Sequence, residues 1–161
     1  MRNTVIASLA ALLLFAGIAV ASSARAADDP NNGTWKLNVE KSKFIPGPAP
    51  KSSTVTIKIE NGTETYTADN VDAAGNASHG TFTAKLDGTD APLAGNPYGD
   101  TISVKRMSPT HFVAKIKKGG AVVMTVHVVL DAAKMTRTAT YTGKNADGKE
   151  VHDVLVYDMQ M

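Results

Sequence analysis

The chain has 161 residues, no cysteine, 43% hydrophobic residues and a formal charge of +2. The lack of cysteine excludes disulfides, thiol catalysis and a lipid-modified cysteine anchor. The near-neutral charge excludes the basic footprint of a nucleic-acid binder.

The first apolar run, Val5 to Val20, follows Arg2 and precedes Ala24-Arg25-Ala26. A positive start, a run of roughly 16 apolar residues and small residues at the cleavage spacing describe a secretory signal peptide over residues 1–26. The run falls short of the ~20 residues that span a bilayer. The expectation is therefore export to the periplasm or beyond, with no membrane span after cleavage. Removing Arg2 and Arg25 takes 17 basic residues to 15, against 15 acidic ones, so the mature chain is neutral. Residues 27–161 are the length of one domain, and that length can bury a core without staples.

Residues 27–32 read as a polar lead-in. In Gly33 to Glu40, Trp35, Leu37 and Val39 alternate with polar neighbours, which is the period-2 pattern of a half-buried strand. Lys41 to Ser53 carries Pro46, Pro48 and Pro50 and predicts an extended crossing pinned by Phe44 and Ile45. Val55, Ile57 and Ile59 alternate in the next strand, and Asn61-Gly62 is a hairpin signal. The return strand, Thr63 to Asp69, puts Tyr66 and Ala68 on one face. After a turn at Asp72 to Asn76, Phe82, Ala84 and Leu86 alternate up to Asp87-Gly88. Thr89 to Gly99 shows no alternation and holds Pro92, Gly95, Pro97 and Tyr98. It reads either as a binding edge presenting Tyr98 or as a rigid turn whose Leu93 caps a barrel end.

Ile102 and Val104 resume the alternation, and Phe112, Ala114 and Ile116 follow a turn at Ser108 to Thr110. Ala121 to Leu130 is almost wholly apolar. Met135 to Thr142 alternates with threonines, and Val151 to Met159 ends the chain. No segment has a helical period. About nine short strands joined by tight turns predict an all-β fold, a single up-and-down antiparallel β-barrel of about eight to ten strands. A membrane barrel is disfavoured, because Lys58, Lys85, Lys105, Lys115 and Lys117 occupy one face.

Gly33-Thr34-Trp35-Lys36-Leu37 resembles the Gly-x-Trp opening strand of the lipocalin and fatty-acid-binding protein group, and Val154 to Tyr157 resembles the closing strand of the fatty-acid-binding branch. The mature chain is similar to small exported bacterial lipocalin-like barrels of uncharacterised function, through Glu40 to Phe44, Pro50-Lys51-Ser52, Pro92 with Gly95-Asn96-Pro97, and Asp100-Thr101. The resemblance implies that Trp35 plugs one barrel end with an arginine packed over it, Arg106 or else Arg137. That arginine either closes the floor or anchors a ligand carboxylate. The fatty-acid-binding branch holds its carboxylate with an Arg-x-Tyr pair. Here Tyr157 is present, but Leu155 stands where the arginine would be. The helical lid of that branch has no counterpart in residues 41–53.

His79, His111, His127 and His152 have no metal-ligand spacing, and no nucleophile elbow occurs. No enzyme, metal or cofactor is expected. His127 lies mid-strand and reads either as a hydrogen-bonded barrel histidine or as a cavity residue. The expected function is binding of a small apolar molecule inside a monomeric barrel, oriented by Arg106, Arg137, Tyr141, Tyr157, His127 and Tyr98. The alternative is a protein-interaction or inhibitor module with a filled core.

Overall fold

The computed structural model describes residues 28–161. The expected signal peptide lies outside the described residues. Ten strands follow one another: β1 Gly33–Leu37, β2 Ser52–Glu60, β3 Thr63–Val71, β4 Ala77–Lys85, β5 Asp87–Ala94, β6 Thr101–Ser108, β7 His111–Lys118, β8 Ala121–Asp131, β9 Thr136–Lys144 and β10 Glu150–Gln160. Each strand pairs antiparallel with the next, and β1 closes the ring by pairing with β10. The fold is thus an all-β, closed up-and-down barrel. Closure leaves no free sheet edge to template pairing with another chain.

Two elements differ from the sequence expectation. Residues 87–94, expected to be the Asp87-Gly88 turn and the start of the irregular segment 89–99, form β5, so ten strands stand where about nine were predicted. The alternation is hidden there by Gly88 and Pro92. Proline donates no amide proton, and it fits here because β5 pairs with β4 only at Thr81 with Ala94 and Phe82 with Leu93. The first strand is also shorter than residues 33–40. At Asn38 the chain turns, with Ser42 Oγ donating to the Asn38 carbonyl at 2.6 Å. It then runs on beside the upper half of β10, through Lys43 N to Val154 O at 2.8 Å and His152 N to Ile45 O at 2.9 Å. The proline segment crosses the barrel end from there. Phe44 packs on the core, whereas Ile45 is exposed and held by its backbone.

Side-chain parity separates wall from interior. Val55, Ile57 and Ile59 of β2 face Phe82, Ala84, Val104, Ala114, Val126 and Val128 across a common core. The almost wholly apolar β8 is settled by its register. Met124, Val126, Val128 and Leu130 are buried, and the residues between them face outward. Trp35 is 0% exposed and sits where β1 lies between Val55 of β2 and Met159 of β10.

Gly95 locks the β5–β6 loop onto β4. Its φ is +67°, and a Cβ there would stand 1.9 Å from the His79 carbonyl oxygen. Gly95→Ala should therefore destabilise the fold by about 1–3 kcal/mol. Gly119→Ala, also at positive φ but in open space, should cost less; denaturant titration of both variants checks the difference. Trp35→Ala should cost about 3–5 kcal/mol in the same assay, and a loss below about 1 kcal/mol would show that the indole does not anchor the core.

Candidate functional site

The two barrel ends are built differently. At the end where β1 begins, the chain folds underneath the barrel and closes it. Trp35 Nε1 donates to the Asn31 carbonyl at 2.9 Å. Asn31 is itself buried, and its Nδ2 donates to Asp29 Oδ1 at 3.0 Å and to the Pro109 carbonyl at 3.4 Å. Asn32 continues the seal: its Oδ1 accepts from Ile59 N at 2.6 Å. The polar lead-in of the sequence is thus the floor of the barrel.

Arg106 belongs to that floor. Its guanidinium donates to Asp29 Oδ2 and to the Pro109 carbonyl, and lies 5.0 Å from the centroid of the Phe112 ring. The aromatic partner expected from the resemblance was Trp35; the observed one is Phe112. Burial alone would raise the Asp29 carboxyl, but hydrogen bonds from Asn31 and Arg106 hold it below its ordinary 3.8. With its charge already spent on Asp29, Arg106 lines neither interior cavity. Of its two expected roles, these contacts are those of the arginine that closes the floor.

Above the floor lies a chamber of about 70 Å³. Most of its wall is aliphatic, but Glu64 of β3 and Arg137 of β9 also line it. Glu64 is 5% and Arg137 7% exposed. Arg137 Nε has no hydrogen-bond partner. Burial raises the Glu64 carboxyl above its ordinary 4.5, opposed mainly by Arg137, with Asp29 adding to the rise and Arg106 to the opposition.

The far half of the barrel widens into a cavity of about 580 Å³ that opens between the proline segment, the β3–β4 turn and the 95–100 loop. Tyr66, Tyr141 and Tyr157 form its inner collar, with Ala68, Leu93 and Leu155 between them. Phe44, Pro48, Pro50, Pro97 and Tyr98 form its rim. Tyr66 stacks on Phe82 with centroids 4.8 Å apart. Burial raises all four phenols above their ordinary 10.0, so each stays protonated at neutral pH as a hydrogen-bonding group. Tyr66, Leu93, Asn96 and Tyr141 line both the chamber and the mouth, so the two cavities adjoin across these side chains.

Of the six candidates, Arg137, Tyr141, Tyr157 and Tyr98 come together around this interior. His127 does not. It is exposed on the outer face, its ring 5.9 Å from that of His111, because the inward parity of β8 belongs to Val126 and Val128. Glu64 was missed, although it shares parity with Tyr66 and Ala68. Asp153 was missed too; it reaches the rim and accepts from Ile45 N at 2.7 Å. Among the described residues no cluster of three or more metal-ligating side chains occurs. No protein-family model and no curated protein matches the chain.

Glu64 has a testable linkage. A carboxyl raised by the fold binds its proton more tightly in the native state, so stability falls as pH rises from the unfolded value through the folded one. Glu64→Gln, neutral at every pH, should melt higher than wild type at pH 7. The gap should close as pH drops below 4.5, the ordinary glutamate value. Calorimetry at both pH values measures it, and a variant less stable at pH 7 would contradict the assignment.

Proposed function

We propose that this protein is an exported, lipocalin-like carrier that takes a small, largely apolar molecule through the open barrel end. The observation that carries this reading is the cavity of about 580 Å³, whose tyrosine and aliphatic collar lies inside a rim that also carries polar residues such as Asn70, Asp72 and Asp153. That volume lies within the range of pockets that bury a small organic ligand. Each 100 Å² of apolar ligand surface buried there contributes roughly 2.5 kcal/mol. The tyrosine hydroxyls of the collar supply the few polar groups that orient a guest. The proline segment and the 95–100 loop supply a rim held by backbone hydrogen bonds and by Gly95. The expectation of export rests on the leader-like residues 1–26.

The uncharged dye N-phenyl-1-naphthylamine tests the reading. It should bind one to one with enhanced fluorescence. Ala68→Trp, which fills the collar, should weaken binding about tenfold or more while leaving the circular dichroism of the barrel unchanged. Undiminished binding by that variant would place the dye outside the cavity. Failure of wild type to bind the dye, together with native mass spectra showing no co-purified small molecule, would overturn the proposal.

A further inference from the structure

The chamber beside the mouth is lined by two buried ionisable side chains, and one of them, Arg137, has a nitrogen without a hydrogen-bond partner. Glu64 comes from β3 and Arg137 from β9. Both line the chamber of about 70 Å³. Arg137 Nε is buried with no acceptor, and the rise of the Glu64 carboxyl on burial is opposed by the charges of Arg137 and Arg106 and by no hydrogen bond. No ion pair within 4.0 Å joins them among the described residues. The floor offers no relief, because Arg106 and Asp29 are engaged with each other. Buried polar groups in folded proteins are satisfied almost without exception, so an unpartnered guanidinium nitrogen beside a buried carboxyl at one small chamber calls for an explanation.

We infer that this chamber is the head-group subsite of the proposed carrier, selecting an uncharged head that offers an acceptor to Arg137 and a donor to Glu64. The smallest complete example is a primary carboxamide. The inference rests on the carrier reading and adds the chemical class of the ligand's polar end. The charge balance of the chamber supports it. A carboxylate head would satisfy Arg137 but oppose Glu64, and an ammonium head would do the reverse. A carboxamide presents its oxygen to one side and its N–H to the other and adds no charge to a neutral chamber. The chamber holds only a few heavy atoms, so the rest of the molecule remains in the apolar mouth between Tyr66 and Tyr141.

Isothermal titration calorimetry with three probes of equal chain length, decanamide, decanoate and decylammonium, tests this at neutral pH. Wild type should bind decanamide about tenfold or more tighter than either charged probe. Glu64→Gln leaves Arg137 unopposed, and decanoate should then match or exceed decanamide. Decanoate binding tightest to wild type would overturn the inference and make the chamber an anion subsite. Equal affinity for all three would overturn it by showing that the head never reaches the chamber, while the carrier reading stands. If none of the three binds, the carrier reading itself falls and the inference falls with it.

Discussion

Closing ten strands into one ring sets an interior wider than the inward side chains can fill. An eight-strand barrel is just wide enough to be packed solid, and the diameter grows with strand number. The lower half is filled with branched and aromatic residues from β2, β6, β7 and β8. The upper half keeps small or peripheral side chains, Ala68, Gly80 and Ser53, where larger ones would close it. The barrel therefore has one solid end and one open end.

The solid end depends on groups far apart in sequence. Asp29 and Arg106 are 77 residues apart, and Asn32 and Ile59 are 27 apart. Once the ring closes, the lead-in chain passes under it, and Asp29, Asn31 and Asn32 find backbone and side-chain partners there. Only above this floor does the pattern stop. Glu64 and Arg137 are buried as deeply as the aliphatic core but are left to face a chamber. The one buried side-chain atom without a partner among the described residues, Arg137 Nε, lies at this chamber.

Much of this was legible in the residues. Strict alternation in Val55 to Ile59, Phe82 to Leu86 and Phe112 to Ile116 gave the strands, and Asn61-Gly62 gave the two-residue β2–β3 hairpin. Trp35 in the opening strand is fully buried. Three failures have physical causes. β5 was invisible because its pairing with β4 is so brief that Pro92 and Gly88 are tolerated. The phase of β8 could not be read from a run apolar on both faces, so His127 was given an interior option that the register denies it. The Asp29–Arg106 pair could not be read at all, since no local spacing encodes a contact across the barrel floor. Glu64 is different. Its parity with Tyr66 was plain, but a glutamate pointing inward contradicts the ordinary expectation for a charge, and that contradiction was itself the signal.

The central claim is that the open half of the barrel, and no outer surface, receives an apolar guest. Intermolecular nuclear Overhauser effects from bound N-phenyl-1-naphthylamine to assigned methyl groups test it most directly. Contacts with the methyls of Ala68, Leu93 and Leu155 are the predicted result. Contacts confined to Val122 and Val129, which are 51% and 52% exposed on the barrel surface, would contradict it.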